Sequence, residues 1–89
     1  MGERINPRLR RAVLEVVHNQ LSSNDPPETR QTLERLKAEG HSKDEAMELI
    51  ACVAVDEIFG VLSQGRAYDH DRYVAALRAL PELPQDEGV

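Results

Sequence analysis

Apolar positions recur with a helical period along most of the chain, and the longest apolar segment lies between Ser42 and Leu62. At about 100° per residue, this segment presents two apolar arcs and few polar positions. The first arc holds Ala46, Leu49, Ile50, Val53, Ala54 and Val61, and the second holds Ala51, Val55, Ile58 and Leu62. A helix that is apolar nearly all round is covered by other elements on several sides. The pattern therefore predicts a central helix.

Three shorter segments each carry one apolar stripe, which predicts three further helices around the central one. The predicted helices span residues 7–21, 26–39, 43–62 and 70–80. The second helix has the narrowest stripe, which consists of Thr29, Thr32, Leu33 and Leu36. We therefore expect it to lie over the core rather than inside it. The predicted fold is all-α, a four-helix bundle-like single domain over residues 1–80 that is followed by an acidic, flexible tail over residues 81–89.

Helix-capping patterns support these bounds. Before the second predicted helix, Asp25 is expected to cap the free N–H groups, with Pro26 as the first helical residue and Glu28 reaching back to the cap. Before the third predicted helix, Ser42 and Glu45 have the spacing of a capping box.

The remaining helix ends have their own signals. Asn6, which is followed by Pro7, is the expected cap of the first helix, and Asp69 is the expected cap of the fourth. Gly40 is expected to end the second helix, because glycine adopts the left-handed conformation without a Cβ clash. Pro81 is expected to stop the fourth helix.

The composition is that of an ordinary globular chain with one domain. The chain has 89 residues, of which 30% are charged and 40% are hydrophobic, and its net charge is −5. It lacks the surplus of Lys and Arg that neutralises phosphates, so we expect no nucleic-acid partner. The single cysteine, Cys52, excludes an internal disulfide and suits a reducing compartment. Neither a signal-peptide pattern nor an uninterrupted membrane span is present, so we expect a cytoplasmic location and no membrane partner.

Four arginines gather near the start of the first predicted helix, namely Arg4, Arg8, Arg10 and Arg11. Positive charge at a helix start opposes the helix dipole. Two interpretations stay open. The arginines form a patch for an anionic partner, or they form a solvated end that pairs with the acidic remainder of the chain.

Two polar residues interrupt apolar stripes, which marks them as candidate site residues. Gln20 lies on the apolar face of the first predicted helix, and Glu57 lies among the apolar positions of the central one. A buried polar group needs a hydrogen-bond partner, so these two side chains are candidates to meet. One interpretation is a structural hydrogen bond that fixes the helix register. The other is one wall of a small polar pocket.

Metal binding and catalysis have little support in the sequence. Glu15 and His18 have the Glu-x-x-His spacing of carboxylate-bridged di-iron bundles, but such sites need two of these pairs and two more carboxylates. No glycine-rich phosphate loop is present, and no basic neighbour in sequence marks Cys52 as a nucleophile. We expect no metal ion, no other cofactor and no catalytic residue.

Several landmarks resemble those of an uncharacterised family of small bacterial all-helical proteins. They are Asn6-Pro-x-Leu9, Gln20, Asp25-Pro26, Glu45-Ala46, Glu57 and Tyr73-x-x-x-Leu77, and they span residues 6 to about 80. Some members of that family carry histidines near Arg10 and at Asp44 and Glu48, which implies a metal-binding bundle. This chain has no histidine at those positions, and the resemblance implies no established activity.

A fainter resemblance concerns the stretch LKAEGHSKDEAMELI, which is similar to a ubiquitin-associated domain over about fifteen residues. The loop that joins two helices in those domains usually carries an apolar-Gly-aromatic triplet. In this chain the triplet is Glu39-Gly40-His41, which lacks both apolar contacts.

The apolar surplus of the central helix points to interaction with another protein or with a second copy. After the other helices have covered what they can, Val55, Ile58, Phe59 and Leu62 risk exposure, and monomers rarely show large apolar patches. A homodimer through this face is one remedy, and coverage by residues 63–67 and the tail is another. We expect a small protein-interaction or regulatory module. The alternative is a metal- or small-ligand-binding bundle with a pocket around Gln20 and Glu57.

Overall fold

Four α-helices make up the fold in the computed structural model, which describes residues 7–65 and 67–83. They are α1 (Pro7–Ser23), α2 (Pro27–Ala38), α3 (Lys43–Gln64) and α4 (His70–Ala79). The described part of the chain contains no strand, which confirms the predicted all-α class. No helix bound differs from its prediction by more than two residues. The cap predicted at Asn6 and residues 84–89 of the predicted tail lie outside the described residues.

Both α3 and α2 pack against each of the three other helices. The central position of α3 agrees with its two apolar arcs. Helix α2 lies over the core as expected: the four residues of its narrow stripe are buried, whereas Arg30, Glu34 and Lys37 on its other side are exposed. None of the described helices is both long enough and apolar enough to cross a membrane.

The core is aliphatic and draws on all four helices. Its fully buried members include Val17 of α1, Leu36 of α2, Ile50 of α3 and Leu77 of α4, each at 0% exposure. Burying one such side chain contributes about 1.5–3 kcal/mol. The stability of the bundle therefore rests on contacts between helices rather than within them.

The start of α2 differs from the prediction in a way that its two prolines explain. Pro26 is the cap residue rather than the first helical residue, and no side chain caps the helix. Because a proline pushes the preceding residue out of the helical region, Pro27 holds Pro26 in an extended conformation with φ −80° and ψ 151°. Helix α2 can therefore begin only at Pro27, and the capping box predicted for Asp25 and Glu28 does not form.

The turn between α2 and α3 follows its predicted chemistry. Gly40 has φ 106°, and its N–H donates to the Lys37 carbonyl while the His41 N–H donates to the Leu36 carbonyl. This is the Schellman arrangement, which a left-handed glycine permits. Two residues later, Ser42 Oγ accepts from the Glu45 N–H at 3.1 Å, and Glu45 Oε1 accepts from the Ser42 N–H at 3.0 Å.

Arginines of α2 satisfy carbonyl groups near the ends of two other helices. Arg30 donates to the Leu21 carbonyl of α1 at 2.7 Å, and Arg35 donates to the Leu77 carbonyl of α4 at 3.1 Å. The last carbonyls of a helix lack partners within the helix and carry partial negative charge. Helix α2 therefore stabilises the ends of both neighbours.

The C-terminal part of α3 is much less covered than the rest of that helix. Of the second apolar arc, Ala51 is buried and Val55 and Ile58 are partly exposed, whereas Leu62 is 74% exposed. Phe59 is 56% exposed. The arc that was expected to lack cover is thus exposed from Val55 onward.

Removal of the capping box tests the account of how α3 begins. We expect Ser42→Ala to lower the free energy of unfolding by about 1 kcal/mol, because an N–H of the first turn loses its acceptor. Urea denaturation followed by circular dichroism measures this. The matched control is Ser22→Ala, an exposed serine of α1, which should change the stability by less than about 0.5 kcal/mol. Equal losses for both variants would contradict the role of Ser42.

Candidate functional site

Helices α1 and α3 run side by side in the same direction, which brings their C-terminal parts to one end of the bundle. Near the helix starts, Arg10 of α1 forms an ion pair with Glu48 of α3. Near the helix ends, Gln20 of α1 and Glu57 of α3 line one cavity. The starts of α2 and α4 lie at this same end, because Thr29 of α2 and Tyr73 of α4 both contact Gln20. We call this end of the bundle the junction end.

A single oxygen atom joins three helices at the junction end. Gln20 Oε1 accepts a hydrogen bond from Thr29 Oγ1 of α2 at 2.8 Å and another from the Tyr73 hydroxyl of α4 at 3.0 Å. Thr29 is 0% exposed and Tyr73 is 3% exposed. Both hydroxyl groups would be left buried without an acceptor if Gln20 were absent. These hydrogen bonds explain why a polar residue, Gln20, lies in the apolar stripe of α1.

Glu57 joins α3 to the start of α4. The residue is 5% exposed, and its Oε2 accepts a hydrogen bond from the backbone N–H of Asp69 at 3.1 Å. Asp69 Oδ1 in turn accepts from the Arg72 N–H at 3.1 Å and caps α4, as predicted. The buried carboxylate thus holds the residue that starts the last helix.

The two candidate residues of the sequence lie in one site but differ in burial. Gln20 and Glu57 both line the same cavity. Glu57 is buried, whereas Gln20 is partly exposed. Gln20 is more open because it lies near the end of α1, where Val16, one turn before it, is itself 39% exposed.

The cavity is an open and mostly apolar groove of about 290 Å³ between α1 and α3. Its lining consists of Val16, Gln20, Ala54, Glu57, Ile58, Val61, Leu62, Tyr68 and Tyr73. We call this the Gln20 groove. The volume lies near the lower limit of small-molecule pockets, which span about 300–1,000 Å³. It therefore suits one or two side chains or a small molecule better than a large cofactor.

Two tyrosines complete the groove, and sequence reasoning did not assign them to the site. Tyr68 and Tyr73 have ring centroids 6.2 Å apart. Burial raises the pKa of Tyr73, because it disfavours the charged phenolate. Burial raises the pKa of Tyr68 as well, and negative charge nearby raises it further. Both hydroxyl groups therefore stay protonated at neutral pH and can act as hydrogen-bond donors.

Carboxylates surround the Tyr68 edge of the groove. After burial, the charges that raise the pKa of Tyr68 belong, in decreasing order, to Glu57, Glu28, Asp25 and Asp69. The side-chain atom Oε1 of Glu28 is buried and has no hydrogen-bond partner among the described residues. The Tyr68 hydroxyl itself lies 3.3 Å from Nδ1 of His70. The four carboxylates make the open edge of the groove rich in negative charge.

The metal-binding alternative finds no assembled ligand set in residues 7–65 and 67–83, where no three His, Cys, Asp or Glu side chains are placed to hold an ion. Glu15 and His18 are both exposed on α1. Arg10 of α1 and Glu48 of α3 form an ion pair with each other. The guanidinium group of Arg10 already balances the negative charge of Glu48 that a metal ion would need.

The arginine cluster is exposed where it is described. Arg8, Arg10 and Arg11 all face solvent at the start of α1, and Arg4 lies outside the described residues. Because Arg10 pairs with Glu48, the interpretation of a solvated end paired with acidic residues holds for that arginine.

Comparisons with protein-family models, with curated proteins and with solved structures give no match for this chain.

Loss of the shared acceptor tests the junction. We expect Gln20→Leu to lower the free energy of unfolding by about 1–3 kcal/mol, because two buried hydroxyl groups lose their acceptor. In a Tyr73→Phe background the same change should cost less, since one of those donors is already absent. Urea denaturation of the four proteins of this cycle measures the coupling. Gln31→Leu, at an exposed position of α2, is the matched control, and fully additive losses would contradict the shared hydrogen bonds.

Proposed function

We propose that the protein is an interaction module that docks a partner polypeptide on the Gln20 groove and on the apolar residues beside it. The observation that carries the proposal is the exposure of large apolar side chains at the groove. Leu62 is 74% exposed and Tyr68 is 54% exposed, and both line the groove. Contiguous apolar surface of this kind on a small domain is typical of an interaction site.

The apolar surface continues from the groove along α3. Two further apolar side chains lie on the same side of α3 as Leu62. Val55 is partly exposed, and Phe59 is 56% exposed. Phe59 and Leu62 are three residues apart and therefore neighbours on the helix surface. A partner that fills the groove can extend its contact over this ridge, which we call the α3 ridge (Val55, Phe59 and Leu62).

A second copy of the chain is one partner that this surface can accept. Val55, Ile58, Phe59 and Leu62 form the face through which the homodimer was predicted, and all four are at least partly exposed. A two-fold dimer would place the α3 ridge of each copy against the other. In that case the function includes self-association.

Small-ligand binding is the second candidate function, and the position of Gln20 and Glu57 in one groove favours it. Gln20 Oε1 is occupied by two donors, so the amide nitrogen is the part of Gln20 left to bind an acceptor. Small-molecule sites combine apolar walls with a few polar groups, as this groove does. The largest exposed side chains lie outside or at the rim of the groove, however, which a small ligand would not explain.

Photocrosslinking distinguishes these candidates. We expect Leu62→p-benzoylphenylalanine, in the chain expressed in its native cell, to form a covalent adduct with a polypeptide on illumination. The same amino acid at Gln31, an exposed residue of α2, is the matched control and should not form that adduct. Mass spectrometry identifies the captured chain, and an adduct with a second copy shows self-association.

A polypeptide adduct that forms equally from both positions, or from neither, would contradict docking at the groove. If the adduct is the chain itself, sedimentation at micromolar concentration should show a dimer that Phe59→Asp dissociates while circular dichroism stays unchanged. A non-covalent mass increase of a few hundred daltons in native mass spectrometry, without an adduct, would favour the small ligand.

A further inference from the structure

The charges around the Gln20 groove restrict the kind of partner that fits it. Four carboxylates, those of Glu57, Glu28, Asp25 and Asp69, act on the hydroxyl of Tyr68 at the groove edge. Two of these residues are exposed, namely Asp25 at the turn before α2 and Asp69 at the turn before α4. A cleft lined by charge of one sign attracts the opposite sign and repels its own.

Basic side chains of the described chain lie at both ends of the bundle. At the junction end, Arg30 of α2 donates to the Leu21 carbonyl, and Arg72 lies in the first turn of α4. The others named here lie at the opposite end. Arg8, Arg10 and Arg11 lie at the start of α1, and Lys37 lies near the end of α2. At the junction end, the four carboxylates around Tyr68 outnumber the two arginines, Arg30 and Arg72. Arg66, which is close to the groove in sequence, lies outside the described residues.

Two possible occupants carry the wrong charge. The C-terminal segment ELPQDEGV has three carboxylate side chains and no Lys or Arg, so it would add negative charge to the groove edge. A second copy of the chain has a net charge of −5, and a symmetric contact at the groove would bring two acidic edges together. Like charges that face each other across an interface cost free energy.

We infer that the partner is an amphipathic helix of another protein, with Lys or Arg on both sides of its apolar stripe. This inference rests on the proposed docking function and adds the chemistry of the partner. Apolar side chains at i, i+3 or i+4, and i+7 of that helix enter the groove and lie along the α3 ridge. Its cationic side chains lie at the rim, where Asp25 and Asp69 are exposed.

The size and lining of the groove suit the apolar stripe of such a helix. Its volume of about 290 Å³ holds one or two apolar side chains, and its long walls are the aliphatic Val16 of α1 and Ile58 and Leu62 of α3. The rim contacts stay solvated, so they contribute more to association rate and to specificity than to affinity.

Selection from an unbiased library tests the inference. The probe is a displayed library of random peptides of about 16 residues, a little over four helical turns. It is selected on the wild-type chain and counter-selected on Leu62→Ser. We expect the enriched peptides to share a helical apolar stripe and a positive net charge. Their binding should weaken when ionic strength rises from about 0.1 M to about 1 M, which shortens the Debye length from about 10 Å to about 3 Å.

Charge variants locate the effect on the protein. The dissociation constant of the best peptide should rise roughly threefold to tenfold for Asp25→Lys, the size expected when one exposed charge at a rim is reversed. Glu34→Lys, at an exposed position of α2 outside the groove, is the matched control and should leave binding unchanged. Circular dichroism of each variant verifies the fold.

Two outcomes overturn the inference, and they are distinguishable from failure of the proposed function. Enriched peptides that are neutral or acidic, with binding insensitive to salt and to Asp25→Lys, contradict the cationic partner but leave the docking groove in place. No enrichment over Leu62→Ser contradicts both the partner and the docking function. A homodimer that excludes every peptide from the groove likewise overturns the cationic partner and leaves self-association.

Discussion

One shared hydrogen-bond acceptor holds the junction end of this bundle together. Gln20 Oε1 receives the hydroxyl groups of Thr29 and Tyr73 and thereby links α1, α2 and α4. Both donors are buried, so a shift of any one of these helices would leave a polar group without a partner. An aliphatic core tolerates such shifts far better, because apolar contacts are not directional. The junction therefore fixes the register that the core alone does not.

The groove follows from this register and from the length of α3. Gln20 fixes α1, and Glu57 fixes the start of α4. The last turns of α3 then extend beyond the helices that cover the rest of it. Leu62 and Phe59 lie in those turns, which explains why apolar side chains are exposed beside a well-buried core. The carboxylates of the adjoining turns give this apolar surface an acidic edge. Structure and candidate interaction surface thus have one physical origin.

The sequence predicted the helices well because their signals are local. Ser42 with Glu45, Gly40 and Asp69 act within one turn of chain, and each behaves as its residue type predicts. The cap predicted at Asp25 was wrong. Pro27 keeps the residue before it, Pro26, out of the helical conformation, and this restriction outweighed the capping pattern. The rule for that restriction is also local and could have corrected the start of α2.

The site was harder to predict because its contacts join distant parts of the chain. Periodicity marked Gln20 and Glu57 as polar residues on apolar faces, but it did not supply Thr29 and Tyr73 as the donors. Those partners depend on the order and direction of packing of α1, α2 and α4. Thr29 was visible as a polar member of the stripe of α2, which is the one signal that pointed toward a donor. Tyr68 reaches the groove from a connecting segment whose path no periodicity describes.

Ionisation of a single tyrosine tests the junction most directly. In Tyr68→Phe, Tyr73 is the only tyrosine left, and ultraviolet absorbance then reports its ionisation alone. Burial raises the pKa of Tyr73 above its usual value of 10.0. The stability that depends on its protonated hydroxyl is therefore present below about pH 10 and is lost as the pH rises through the folded-state value. We predict that phenolate absorbance appears above pH 10 and together with the loss of helical circular dichroism. Reversible ionisation near pH 10 with the helices intact would contradict a buried hydroxyl held by Gln20.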